Sequence, residues 1–329
     1  MRLPRQRSRS ARRSGVDASH RHRMSTCRGY SLTGMLLSVS LCMPLVMSAI
    51  SLTCEALREQ VFAEQLMLLE QDAQFALMTI SKLVQLAGHQ DPATAGFVVR
   101  SASMATEPPV RGLDDASLAA RSSVNASPSG PGIFGSDVLI LRFSGMNSGG
   151  SALLNCAGIP VSSSAAASDE AGNTAGYSIL YIGRGTTGEP ELRCKYPTAN
   201  GWDSEALVSG VESFQVLYGL DRDGDGHPDQ FLRASAIAAE SGNDAAVLAL
   251  WQQVVALKIA VLIRSAQSMK KAPVATRWDL FGEAYSALHA AQDRGTQLLP
   301  TDFTGDSRYR LRRVYEQLIF LRNTAPSVE

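Results

Sequence analysis

The sequence predicts an α+β protein, one long N-terminal helix followed by a mainly antiparallel β-sheet, and three observations carry that prediction. Residues 29–54 contain no charged side chain. Residues 57–87 place apolar side chains every three to five positions, the spacing of one helix face. Beyond residue 135, short apolar runs alternate with clusters of Gly, Pro, Ser and Asp, the mark of strands and turns. The organisation follows as a basic leader at 1–29, a bilayer-spanning half-helix at 30–54, an amphipathic half-helix at 55–88 and a β-rich head at 89–329.

The leader holds most of the charge asymmetry. The 329 residues carry 31 basic and 31 acidic side chains. Nine arginines and one acid, Asp17, fall within residues 1–28, which leaves 22 basic against 30 acidic side chains, a net charge of −8. An acidic remainder argues against nucleic-acid binding, which needs a basic face. The segment that follows, beginning at Leu32, is long enough to cross a bilayer as a helix. Arginines before it and Glu55, Arg58 and Glu59 after it put residues 1–28 in the cytoplasm and the bulk of the chain outside by the positive-inside bias. A secretory signal peptide is the rival reading, but the apolar run exceeds the usual h-region and no small-residue cleavage site closes it.

Apolar residues Leu57, Val61, Leu66, Leu69, Ala73, Leu77, Ile80, Val84 and Ala87 then continue the helix with one apolar face, and Gly88 and Pro92 end it. Strands are expected at 137–143, 178–182, 191–196, 212–220, 230–233, 254–264 and 310–321. Residues 89–135 and 157–176, rich in Ser, Ala, Gly and Pro, read as surface loops.

Of the five cysteines, only Cys156 and Cys194 fall in the exported head, where an oxidising compartment permits a disulfide; two buried free thiols are the alternative. The chain-entropy model gives such a bridge about 4 kcal/mol.

Asp221-Arg222-Asp223-Gly224-Asp225-Gly226-His227-Pro228-Asp229 is a dense set of metal ligands. Carboxylates at positions 1, 3, 5 and 9, glycine at 6 and the His227 carbonyl at 7 match the first three quarters of an EF-hand loop, so calcium is the natural ligand. Position 12 is Leu232, where an EF-hand has a bidentate glutamate. The competing reading is a polar Asp-Gly hairpin turn. There is no GxSxG, Walker or Rossmann motif, and no catalytic residue is assigned.

Cys27-Arg28-Gly29-Tyr30-Ser31-Leu32, a basic residue, a glycine and an aromatic opening a long apolar helix, resembles the type III signal of type IV prepilins. The resemblance implies cleavage by prepilin peptidase after Gly29 and N-methylation of Tyr30. Met24 offers an alternative start with a leader of prepilin size. The fifth mature residue, glutamate in most prepilins, is Gly34 here; a subunit without that acid suits the filament tip, where no neighbour above presents an amine, while the plainer reading is a glycine that loosens the helix.

The stretch Gln74–Gly88 resembles the "RFAL…L…D(L/I)R.AG" segment of the PilW family of minor pilins. Ser136–Phe143, Leu207–Gly219, Val254–Ser265, Arg310–Tyr315 and Leu321–Asn323 resemble later blocks of that family, in order. The resemblance implies a type IV pilin-like fold and a minor pilin that helps initiate type IV pilus assembly, made in the inner membrane as a single-pass protein and moved into the pilus at the cell surface. It implies as partners other minor pilins, the major pilin and a pilus tip adhesin. A type II secretion minor pseudopilin and a membrane-tethered periplasmic calcium-binding module or enzyme are the alternatives.

Overall fold

The structure, a computed structural model, describes residues 29, 31–90, 107–119, 128–146, 152–161, 176–198, 200–240, 242–269 and 275–323. The expected arginine-rich leader and Tyr30 lie outside the described residues. The chain divides into two compact units, 1–57 and 58–329.

Helix α1 runs Leu32–Leu86. Through Val61 every residue of it is exposed, and this part is long and apolar enough to cross a membrane. Pro44 lies inside it, where the missing N–H leaves a carbonyl one turn back without its helical donor. Ser38, Ser40, Ser48, Ser51 and Thr53 turn their hydroxyls back onto carbonyls three or four residues earlier, which satisfies these polar groups inside an apolar segment.

In the second unit the same helix changes character. Leu69, Ala73, Ala76, Ile80, Leu83, Val84 and Ala87 are buried and form one face of the main core. Their spacing of three and four residues keeps the small and branched side chains on a single stripe. Of the expected apolar positions, Leu66 and Leu77 are half-buried and Leu57 and Val61 are exposed, because the contact with the sheets begins only near Gln65. That glutamine is itself buried and accepts a hydrogen bond from the Gln267 amide at 3.2 Å.

The first sheet orders β1 (Val110–Leu113), β2 (Val138–Phe143), β3 (Gly176–Arg184), β4 (Pro190–Thr198) and β5 (Gly201–Ser209) as neighbours, all antiparallel. Gly210, at φ 80°, makes the turn into β6 (Val211–Leu220). β6 lies in a second sheet of order β11-β8-β6-β7, with β7 at Gln230–Leu232, β8 at Val254–Ser268 and β11 at Arg310–Phe320.

Between β7 and β8 run the short helices α2 (Ala234–Ala239) and α3 (Asp244–Gln252). After β8 an insert carries β9 (Trp278–Asp279), α4 (Glu283–His289) and β10 (Gln297–Leu298).

All seven expected strands are present within a few residues at their ends. β1 falls inside the expected 89–135 loop: only four residues long, it has too little pattern to stand out, yet it pairs with β2 from Val110↔Leu141 to Leu113↔Val138. β5 and the three short helices are further additions. Every residue of β6 is buried because the second sheet is covered on both faces. One face joins the core shared with α1, and the other meets Trp278, Leu280, Phe281, Leu298 and Phe303 of the insert. Burial on both faces removes the alternation that a half-exposed strand would show.

Candidate functional site

Three features of the fold bear on function: the apolar half of α1, the anchorage of its second half in the head, and the acidic loop between β6 and β7. The anchorage is built from both ends of the head sequence. Gly88, at φ 76°, ends α1 and gives its amide to the Arg142 carbonyl at 2.8 Å. The Asn323 side-chain amide donates to the carbonyls of Gln85 and Ala87 at 3.0 and 3.2 Å, closing helix-end acceptors that would otherwise lack partners. A Cβ on Gly88 would sit 2.8 Å from the Asn323 carbonyl oxygen, so glycine is required for that approach as well as for the turn.

Farther along α1, Glu70 accepts a hydrogen bond from Tyr315 at 2.8 Å and pairs with Arg313 at 3.3 Å. Burial and the neighbouring Glu70 push the Tyr315 hydroxyl up to about 12. Glu70, Tyr315 and Arg313 gave no motif in the sequence; the one available signal was an acid on the flank of the amphipathic helix.

Beneath β11 lies a buried ionic cluster that the sequence also left unmarked. The Glu212 carboxylate accepts from Arg312 through Nε at 2.5 Å and Nη2 at 3.0 Å, and from Arg264 at 3.3 Å. The Arg312 guanidinium also stacks on Phe303, 3.6 Å from the ring centroid. Desolvation raises the Glu212 carboxyl despite the opposing Arg312. A buried pair of this kind costs desolvation as well as gaining attraction, and removing one partner strands the other charge.

The acidic loop is a hairpin connection, since β6 and β7 pair at Leu220↔Gln230. Its turns are made by its own carboxylates: Asp221 accepts the amides of Gly224 at 2.7 Å and Gly226 at 2.8 Å, and Asp225 accepts the His227 amide at 2.7 Å. Desolvation works to raise the Asp221 carboxyl, but the amides of Gly226 and Gly224 outweigh it and hold the group low. Ligand oxygens of Asp221, Asp223 and Asp225 lie within 4.8 Å of one another.

The Asp229 carboxylate lies outside that group and accepts the Arg222 amide at 2.7 Å, while His227, expected to offer its backbone carbonyl, gives its amide to Asp225. Leu232 pairs with Tyr218 and packs on the main core, so position 12 supplies no side-chain oxygen.

Cys156 and Cys194 are disulfide-bonded, with Cα atoms 5.7 Å apart, tying the 152–161 loop to β4. Cys42 and Cys54 are free and exposed on α1. Gly29 is exposed, and Gly34 has no atom within 4 Å of where its Cβ would stand.

The family model Type IV Pilus-assembly protein W matches residues 179–323, from within β3 to the asparagine that closes α1. The matched region belongs to the PilW family. The chain is thereby tied to type IV pilus assembly, and PilW is a family of assembly components, not a known family of enzymes. No curated protein and no solved structure matches the chain. The long apolar helix and antiparallel sheets form an α+β arrangement consistent with a pilin-like fold.

Proposed function

We propose that this PilW protein is a minor pilin that helps initiate type IV pilus assembly, joining other minor pilins in a complex at the filament tip. The single observation that carries the reading is an apolar half-helix, fully exposed from Leu32 to Val61, on the chain whose head matches the PilW family. Exposed apolar surface of that extent needs a non-aqueous neighbour, and the bilayer and then the apolar helices of sister subunits are such neighbours. The orientation in this reading is head in the periplasm and residues 1–29 in the cytoplasm, where prepilin peptidase cuts between Gly29 and Tyr30.

Gly34 supports a tip position, because a subunit without a carboxylate there cannot neutralise the amine of a neighbour above it. The major pilin and a tip adhesin are the further partners. Mass spectrometry of the mature N-terminus tests the reading: N-methylated Tyr30 is the expected result, and a retained leader would overturn it in favour of a membrane-tethered periplasmic module.

Calcium at Asp221, Asp223 and Asp225 is part of the same proposal, supported by the convergence of their oxygens. With three carboxylates and no bidentate glutamate, the affinity belongs near the weak extracellular range of about 10⁻⁴–10⁻³ M. Isothermal titration of the full chain in detergent should show calcium heat that Asp223→Ala removes; no heat at millimolar calcium would leave the loop as a hairpin turn alone.

A further inference from the structure

β11 leaves its outer edge open. Among the described residues it pairs only with β8, in an unbroken register from Arg312↔Arg264 to Phe320↔Ala256. The Leu321 amide bonds the Val255 carbonyl at 2.8 Å, and backbone groups along an antiparallel strand alternate sides. Val314, Glu316, Leu318 and Phe320 therefore turn both N–H and C=O away from β8.

The other sheet edges are blunted. β1 is packed by α2 and α3, β7 has three residues, and β5 carries exposed Asp203 and Glu205, charges that discourage pairing. From Val314 to Phe320, β11 has neither proline nor glycine. The one charge in that stretch, Glu316, is paired with Lys258 at 3.1 Å.

Side chains on both faces of the edge await a neighbour. Leu318 and Phe320 are 47% and 45% exposed, beyond the reach of the insert that packs on Val314. On the other face a groove of about 390 Å³ separates β11 from α1, lined by Leu77, Met78, Ser81, Lys82 and Gln317 among others. The Gln317 side-chain oxygen is buried without a hydrogen-bond partner, and Lys82 has no ion-pair partner among the described residues.

We propose that the outer edge of β11 accepts an extended strand of a second polypeptide, one that alternates apolar residues and places a carboxylate toward Lys82. The open ladder specifies an extended partner, the lysine specifies its charge, and the buried Gln317 oxygen asks it for a donor. The inference deepens the assembly reading above by assigning it a partner surface, and it rests on that reading for the partner's identity as another pilus subunit.

Backbone hydrogen exchange on the full chain in detergent, alone and co-expressed with the other minor pilins of the same pilus system, tests it. In the complex, the amides of Glu316, Leu318 and Phe320 should exchange at least about tenfold more slowly than in the isolated chain. Leu318→Pro removes one outward amide and leaves the β8 ladder whole; Leu318→Lys covers the case in which the proline variant does not fold. Each should weaken the complex about tenfold or more.

A complex that forms with these amides still exchanging freely, or that ignores both variants, refutes the edge and leaves the assembly reading standing. Protection already present in the isolated chain also refutes it: the occupant is then a second copy if protection depends on concentration, and the chain itself if it does not. If the unaltered chain joins no complex, the assembly reading falls and the proposal with it.

Discussion

The two halves of α1 are one helix with two kinds of surface. Residues 32–57 bury nothing, and residues 58–86 bury a stripe that runs Leu69, Ala73, Ala76, Ile80 and Leu83. Local backbone preference does not separate them, since both are helical throughout. What separates them is periodicity. An all-round apolar surface can be satisfied only by an apolar medium, whereas a one-sided surface can be satisfied by a protein core. The contrast teaches that the exposed apolar half can be altered without loosening the head, and that the head half cannot.

The sharpest way to break that comparison lies in the head, at Glu212. Its side chain is fully buried between Arg312 and Arg264; Arg264 also pairs with Glu189, so Glu212→Ala leaves the buried Arg312 guanidinium without its carboxylate. A loss of about 3–5 kcal/mol is expected, read as a lowered urea midpoint of the head in detergent. Next in size is Ile80→Ala, on the buried stripe of α1 with 0% exposure. It should cost the head about 3 kcal/mol, whereas Leu45→Ala in the exposed half should leave the same midpoint unchanged. Equal losses from the two substitutions would erase the distinction between the halves.

Much of this was legible in the sequence, and the reason differs by element. The helix showed itself because fifty-five residues give periodicity many turns in which to appear. The disulfide followed from counting cysteines outside the apolar segment. β11 and β8 were visible as long apolar runs, and the resemblance blocks Gln74–Gly88 and Leu321–Asn323 proved to be spatial neighbours through Asn323 and the end of α1.

What stayed hidden depends on distant partners. α2 receives its first amides onto Asp114, 120 residues away in sequence, and nothing in its own six residues announces that. β1 has four residues, too few for a period of two to register. Of the acidic loop, the turn and three of its carboxylates were readable, but the engagement of Asp229 with the Arg222 amide was not.

A smaller effect is expected from pH. Burial first, and then the neighbouring Asp114, raise the Asp137 carboxyl well above its ordinary range, against the amide of Val216 that it accepts at 2.9 Å. The folded head therefore holds this proton more tightly than the unfolded chain does. The resulting stabilisation is complete below the ordinary carboxylate range and is lost as pH climbs from there through the raised value, so above about pH 4 the head should lose up to about 1.4 kcal/mol per pH unit until that value is passed. Asp293 and Glu212 are raised too and act in the same sense. Asp137→Asn should therefore reduce the slope of urea midpoint against pH without abolishing it, and an unchanged slope would assign the dependence to the other acids.

The smallest expected effect is at Glu70, where the head half of α1 meets β11 at a partly exposed position. The Tyr315 hydroxyl and the Arg313 guanidinium both converge on its Oε2, but Arg313 is 54% exposed and Glu70 40%, so solvent screens the ion pair. The hydrogen bond from the half-buried tyrosine is the larger part. Glu70→Gln keeps an acceptor for Tyr315 and discards only the charge, so it should change head stability by less than about 0.5 kcal/mol, whereas Glu70→Ala should cost about 1 kcal/mol by leaving that hydroxyl without its acceptor. In thermal unfolding at low and high salt, only the small glutamine effect should shrink with added salt. If instead both variants lose the same stability and both losses vanish in salt, charge alone holds this stretch of helix to the sheet, and the packed stripe centred on Ile80 contributes less than the contrast between the two halves requires.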